Sequence, residues 1–527
     1  MIRILLLLTL ALTLLAHSRF SAAADAAEAK SSAFDILEYV IEGNTVLPVQ
    51  DIERAVYPHL GEKKTIATVE AARESLEKTY HSGGYLTVFV SIPEQKVEGG
   101  IVRLQVTQGE VSRLRVTGSR YYSLNEIKAR VPELAEGNVP YFPVVQEQLA
   151  GLGRTADRKI TPVLRPAPEP GKLEVDLKVA DERPFHGSAE FNNRYSANTS
   201  HLRFSANMRW DNLWQKDHSL GISYQSAPEN PKDSRAISFT YSVPLSSGAY
   251  AAAYWVRTQS DVASLGTLGV VGTGDITGLR WIRPLRGFDG FGHNVTLGVD
   301  SKNFGQTVNL QGSDSFNTPI NYLPFTAAWS GDWGSKAGTT NLNFNANFHM
   351  RDLVGDDAEF ANKRFMATSS YLYLRGDLRN SWVWESGGSL QTRAGFQFAA
   401  DPLISNEGFV LGGSDTVRGY LESEVIGDRG YFAGFELHTP QIARAWQDAL
   451  RFEDFHGVLF VEGGSTQVLE PLPSQVSRFD LAGMGIGLRM KAWGGLSANV
   501  DLVRALRDAG TTRAGDVRMH ASLRFAF

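Results

Sequence analysis

From about residue 186 to the C-terminus, apolar residues recur at every second position in runs of about ten. Leu202, Phe204, Ala206, Met208 and Trp210 interleave with Arg203, Ser205, Asn207 and Arg209. Leu342, Phe344, Ala346 and Phe348 interleave with Asn343, Asn345 and Asn347, and Val517, Met519, Ala521, Leu523, Phe525 and Phe527 with Arg518, His520, Ser522 and Arg524. One set is continuously apolar, the other polar or charged, and Gly, Asn, Asp and Ser fill the gaps. A transmembrane β-barrel has this period, with lipid outside and water inside. Closure satisfies its backbone groups in lipid. A soluble sandwich or propeller would alternate with its polar face outward, and the run length favours the barrel. At about 21 residues per strand and loop, 186–527 holds about 16 antiparallel strands.

Residues 34–183 follow other rules. Val69, Ala72, Leu76 and Tyr80 share one helical face that stops at Gly83-Gly84. Leu173, Val175, Leu177 and Val179 alternate with Lys172, Glu174, Asp176 and Lys178 as a strand. The segment also repeats. Ile41-Glu42-Gly43-Asn44, then Val49, Ile52 and Val56, returns as Val116-Thr117-Gly118-Ser119, then Leu124, Ile127 and Val131. All these pairs keep one offset. Two copies of a small α+β module are expected, at 34–109 and 110–183, each running strand, helices and strand pair.

The first residues read as an address. Arg3 precedes an uncharged, leucine-rich run from Ile4 to Ala16, and Ser21-Ala22-Ala23-Ala24 supplies small residues for cleavage. Residues 1–24 are expected to be a signal peptide, removed on export. As a helix the run rises about 20 Å, short of a hydrocarbon core of roughly 30 Å.

Composition narrows the chemistry. The 527 residues carry 52 Lys+Arg and 57 Asp+Glu, a formal charge of −5, without the basic surplus of a nucleic-acid binder. Hydrophobic residues at 43% and charged residues at 21% exclude wholesale disorder. The lack of cysteine excludes a disulfide framework, thiolate catalysis and Cys-ligated zinc. There is no HExxH and no close pair of histidines. Gly412-Gly413-Ser414-Asp415-Thr416 misses G-x-S-x-G at its last position, and Gly483, Gly485 and Gly487 alternate along a strand without opening a helix. Arg375-Gly376-Asp377 reads as a hairpin tip or strand end. No catalytic residue, metal or cofactor is expected.

Alternation lapses for about 25 residues within 401–436, longer than an ordinary loop. This stretch holds Gly412-Gly413, then Val417-Arg418-Gly419-Tyr420, then Gly427-Asp428-Arg429-Gly430. Its turn glycines and apolar anchors predict an ordered loop. Val417-Arg418-Gly419-Tyr420 resembles the (V/I)RG(F/Y) motif of the Omp85 superfamily, and its glycine-rich surroundings resemble the two-partner secretion transporters (TpsB), the haemolysin secretion/activation branch. Phe460-Val461-Glu462-Gly463-Gly464 resembles that family's F-x-D-x-G strand motif, with Glu in place of Asp. The repeated modules resemble its paired POTRA domains, and the terminal strand ending in Phe527 resembles the assembly signal of Gram-negative outer-membrane proteins. The resemblance spans about residues 34–527.

That resemblance implies that the loop at about 405–430 folds into the lumen and that Arg418 meets Glu462. Guanidinium and carboxylate would form a bidentate pair. Gly419 would permit the tight turn, and Tyr420 would offer an apolar body with a hydroxyl. Family members often carry an N-terminal plug helix. Residues 25–33 are too few for one with a linker, so none is expected, leaving the loop to close the pore. The implied function is export of a TpsA-like secreted partner, unfolded in the periplasm, through the outer membrane of a Gram-negative bacterium. The implied partners are that exoprotein, outer-membrane lipid and, during biogenesis, the barrel-assembly machinery. No nucleic acid is implied. An outer-membrane protein insertion factor and a passive porin remain the alternatives.

Overall fold

The computed structural model describes residues 33–153, 155–259, 262–265, 268–288, 290–305, 307–309, 315–317, 319–351, 353–442 and 452–527. The signal peptide and all but the last residue of the segment 25–33 lie outside that set. The chain forms two compact units. One takes the chain to Gly118 with Ile127–Arg154 and Ile160–Val179, the other Ser119–Glu126, Thr155–Lys159 and Ala180–Phe527.

Two copies of one α+β pattern run through residues 38–181. The first is β1 (Glu38–Glu42), α1 (Val49–Val56), α2 (Ile66–Ser82), β2 (Val88–Ser91) and β3 (Ile101–Gln108). The second is β4 (Glu110–Thr117), α3 (Leu124–Ala129), α4 (Phe142–Leu152), β5 (Arg158–Pro166) and β6 (Lys172–Asp181). In each sheet the last strand lies between the other two, in the orders β1-β3-β2 and β4-β6-β5. β1 runs parallel to β3, and β4 parallel to β6. The repeated glycine has one cause in both copies. Gly43 and Gly118 adopt φ of 85° and 87°, and a Cβ there would overlap the carbonyl oxygens of Val106 and Val179. Only glycine turns the chain left-handed that close to another backbone. The helical face read from spacing, Val69, Ala72, Leu76 and Tyr80, is buried against the first sheet, and alternate residues Leu173 to Val179 are buried in the second.

The second unit contains a closed antiparallel barrel. Its strands begin with β7 (Phe185–Asn192), β8 (Arg203–Leu213), β9 (His218–Ser226), β10 (Arg235–Pro244), β11 (Tyr250–Thr258), β12 (Gly274–Phe288) and β13 (Phe291–Phe304). β14 comes in two pieces, Ile320–Tyr322 and Phe325–Ser335. The ring continues with β15 (Gly338–His349), β16 (Tyr371–Val383), β17 (Ser389–Ala399), β18 (Arg429–His438) and β19 (Phe452–Gln467). It ends with β20 (Arg478–Ala492), β21 (Leu496–Ala505) and β22 (Val517–Ala526). Both pieces of β14 pair with β13, and Pro324 between them has no N–H for the ladder. Counted as one strand, β14 brings the ring to 16.

The alternation places side chains as the sequence predicts. Met208, Trp210, Leu297, Leu372, Leu502 and Met519 are exposed on the outer wall. β22 pairs with β7 from Ser522 to Ala526, and Phe527 exchanges two 2.9 Å backbone bonds with Gly187. One local expectation is corrected. Arg375-Gly376-Asp377 lies mid-strand in β16, paired with Asn343–Asn345 of β15. A short helix, α5 (Asp357–Lys363), lies between β15 and β16, with the Asp356 carboxylate accepting from the Glu359 N–H at 2.8 Å. So short a helix leaves no periodic signature, but its N-cap is a standard one.

Candidate functional site

The long connection 400–428 between β17 and β18 folds against inward-facing side chains of the wall. Its base pairs with itself, Phe409–Leu411 running antiparallel to Val425–Gly427. Phe409, Leu411, Val417, Tyr420 and Val425 share an apolar cluster with Leu481 and Ala505 of the wall. The loop thus carries its own core, which explains its order despite its length.

Its tip meets the wall at Arg418. The Arg418 backbone N–H donates to Glu462 Oε2 at 2.7 Å, and Nε and Nη2 donate to Glu462 Oε1 at 3.0 and 2.6 Å. Glu462 therefore binds main chain with one oxygen and guanidinium with the other. The extra methylene relative to Asp is accommodated without losing the contact. The guanidinium also reaches two acids that sequence reasoning missed. Nη2 lies 2.6 Å from Glu436 Oε2, and Nη1 lies 2.9 Å from Asp501 Oδ2. Its plane sits over the Phe460 ring, 3.4 Å from the centroid, a cation–π contact worth about 0.5–2 kcal/mol.

Two more arginines complete the network. Arg393 pairs with Glu462 and donates to the Ser414 carbonyl at 2.9 Å. Arg489 pairs with Asp501 at 2.5 Å and with Glu436 at 3.4 Å. Three carboxylates thus face three guanidiniums. The members come from β17 (Arg393), β18 (Glu436), β19 (Glu462), β20 (Arg489) and β21 (Asp501), and on β22 His520 Nε2 accepts the Gly419 N–H at 3.1 Å. The Arg418 side chain is 4% exposed and that of Glu462 1%, so solvent screening is weak and geometry decides the strength of the pairs.

Glycines in the wall make room for the tip. A Cβ on Gly483 would overlap the Arg418 carbonyl oxygen, and one on Gly485 would press into the Phe460 ring. Gly434 lies opposite both Arg393 and Glu462 in the ladder. Gly419 turns at φ 97° beside Val503 and Ala505. The fully buried Tyr420 donates its hydroxyl to Arg507 O at 2.8 Å and accepts the Ala482 N–H at 3.2 Å.

The other expected residues have separate places. Gly412 and Gly413 turn at φ 105° and 99°, and the Gly413 position leaves no room for a side chain beside Glu422. Gly427 and Gly430 clear space against Thr466 and the Ser465 carbonyl, and Gly464 against Phe432. Asp428 is fully buried, pairs with Arg364 and accepts the N–H groups of Leu403 and Leu469 at 2.8 and 2.6 Å. Arg429 departs from the loop-support role. It begins β18, and its Nε donates to Gln467 of β19 at 3.0 Å. A further anchor was not foreseen, for buried Glu407 receives Lys302 Nζ at 2.6 Å and the hydroxyls of Tyr322 and Tyr373 at 2.5 and 2.7 Å.

Beside the loop a polar cavity of about 1070 Å³ opens along β7 to β10, lined by Ser205, Asn207, Ser223 and Thr240, with Asp415 and Glu422 on its loop side. One group among the described residues brings metal-type donors together, Asp157, His186 and Asp211. His186 Nε2 is engaged with Asp157 at 3.0 Å, and a hydrogen bond accounts for the closeness of these two.

Comparison with known proteins fits this geometry. The profile described as POTRA domain, ShlB-type, matches residues 34–109. The profile described as haemolysin secretion/activation protein ShlB/FhaC/HecB matches residues 171–286 and 309–490. The outer membrane transporter CdiB of Dickeya dadantii is 21% identical over 79% of this chain and 73% of its own. The heme/hemopexin transporter protein HuxB of Haemophilus influenzae is 19% identical over 88% of this chain and 82% of its own. Among solved structures, CdiB from Escherichia coli superposes with a TM-score of 0.67 at 19% identity, covering 95% of this chain and 92% of that one. With two modules, a closed 16-stranded barrel and matches over most of its length, the chain belongs to the ShlB/FhaC/HecB family of haemolysin secretion/activation proteins, the two-partner secretion transporters of the Omp85 superfamily.

Proposed function

We propose that this chain recruits one unfolded secreted protein in the periplasm and passes it through the barrel as an extended strand to the cell surface. In this reading the modules at 34–109 and 110–183 stand in the periplasm after loss of residues 1–24. Their sheet edges accept the client by main-chain pairing, which needs little sequence. Phe527 and its strand serve the assembly machinery during insertion. Folding of the client outside supplies direction.

The observation that carries the reading is the Arg418 latch. A passive pore needs no long loop whose tip is fixed by paired charges drawn from five strands. A transporter needs a lumen that is closed at rest and opens for a chain, and a loop held by separable ion pairs beside a polar cavity supplies both. The role of the loop residues as a gate is part of the proposal.

Photo-crosslinking tests the route. With benzoylphenylalanine at Ser223 or Asn207, which line the cavity, illumination of secreting cells is expected to join the transporter to one large exported protein. The same probe at lipid-facing Leu502 is expected to give no such adduct. Adducts with many outer-membrane barrels would favour the insertion factor. No adduct from either lumen position during active secretion would rule out this route.

A further inference from the structure

The outer wall carries a recess that the transport reading leaves unused. It lies across β17 to β20 at the end of the barrel that holds the long connections, including 400–428. Its volume is about 320 Å³, and Phe396, Phe398, Arg429, Tyr431, Gln467 and Arg478 line it. Strand register arranges these residues in rows. Arg429 stands opposite Gln467, and Gln467 opposite Arg478. With strands about 4.8 Å apart, the two arginine backbones are roughly 10 Å apart. One rung toward the barrel middle, Phe396 stands opposite Tyr431. Phe396, Phe398 and Tyr431 are 40%, 54% and 57% exposed, so their rings face outward, Phe396 and Tyr431 one rung below the cations and Phe398 beside Arg429.

The charges are only partly answered by protein. Arg478 Nε donates to Asp480 Oδ1 at 3.0 Å, yet its side chain is 60% exposed. Arg429 uses Nε on Gln467 and leaves both Nη groups without a protein partner among the described residues. The recess therefore keeps a net positive charge, with an amide between two guanidiniums. Arginines on a lipid-facing wall are tolerated at the interface, where they meet anionic headgroups, and disfavoured deeper. Arg429 and Arg478 are the first residues of β18 and β20 and Gln467 the last of β19, and the outward aromatic rings of Phe396, Phe398 and Tyr431 beside this row mark it as part of the aromatic girdle at that interface.

We propose that this recess binds the phosphorylated glycolipid of the outer leaflet, with phosphate on Arg429 and Arg478 and acyl chains against Phe396, Phe398 and Tyr431. Guanidinium forks match phosphate oxygens in geometry and charge. Aromatic rings at headgroup level suit the upper part of acyl chains. The choice of leaflet rests on the transport reading above, which puts the modules in the periplasm: β7 leaves that side, β17 ten strands later in the antiparallel ring runs the same way, and the connection 400–428 after it therefore faces the cell exterior. The glycolipid would brace the strands that flank the loop.

The test uses the full-length protein in detergent, titrated with bisphosphorylated lipid A and followed by native mass spectrometry. Wild type is expected to hold lipid A, and dephosphorylated lipid A to bind at least tenfold more weakly. The double variant R429A/R478A is expected to bind lipid A at least tenfold more weakly with unchanged heat-modifiable mobility, the sign of an intact barrel. Arg257→Ala, which removes an outward arginine already paired with Asp275, is expected to bind as wild type. Three results would overturn the site: equal binding by the double variant, equal loss in Arg257→Ala, or phosphatidylglycerol binding as tightly as lipid A. None of these readouts depends on export, so failure here leaves the transport reading standing, and a chain that exports nothing can still show the site.

Discussion

Arg418→Ala is expected to abolish export of the partner protein while leaving a folded barrel in the outer membrane. The substitution removes the cation that three carboxylates share and leaves Glu436, Glu462 and Asp501 with Arg393, Arg489 and the His438 ring that touches Glu436. Breaking a buried pair from one side costs about 3–5 kcal/mol. At about 1.4 kcal/mol per factor of ten, that shifts the balance between latched and released tip by a hundredfold or more. The wall keeps its full backbone ladder, so the cost falls on the loop. Arg418→Lys should be intermediate. It retains charge, but one ammonium cannot span three carboxylates and lie flat on Phe460. The measurement is partner protein in the medium, beside the heat-modifiable mobility of the barrel and its single-channel conductance. The expected order of export is wild type, Lys, then Ala, with conductance rising as the tip is freed. An Ala variant that exports normally would show that the latch is dispensable.

Gly483→Ala is expected to act almost as strongly from the opposite side of the contact. The new methyl would occupy the place of the Arg418 carbonyl oxygen. A backbone atom cannot swing away as a side chain can, so either the loop tip or the strand must move. Overpacking of this kind costs about 1–3 kcal/mol, and Gly483→Val should cost more. Export is expected to fall at least tenfold with the barrel still inserted. Gly463→Ala, on the neighbouring strand, is the matched control. Its nearest neighbour would be the Leu481 carbonyl oxygen at 3.4 Å, an ordinary contact. Equal export by wild type and Gly483→Ala would show that the tip tolerates displacement.

Much of this fold was legible because its periods are local. Alternation marked the strands, and one offset repeated across strand, glycine and helix marked the modules. Gly43 and Gly118 show why, since each sits where a turn passes a neighbouring carbonyl. The Arg418–Glu462 contact was legible only through resemblance, because no spacing rule links residues that meet across a lumen. Glu436, Asp501, Arg393 and Arg489 were not legible at all. In sequence each is an ordinary inward charge on an alternating strand, and only barrel register gathers them. Gly483, Gly485 and Gly487 were visible, but their pattern excluded a nucleotide loop without revealing that they clear a recess. Asp428 and Arg429 teach a related lesson. Adjacent in a glycine-rich motif, they part at the strand boundary, one buried with Arg364 and the other starting the wall.

The most direct measurement is a comparison of culture media from the parent strain, a strain lacking this chain, and the same strain complemented with it. One large exoprotein is expected to disappear from the medium, to be trapped or degraded in the periplasm, and to return on complementation. An unchanged medium accompanied by a general fall in outer-membrane barrels would contradict the transport reading and favour an insertion role, while no change in either, with the protein expressed in the parent strain, would contradict a dedicated transporter altogether.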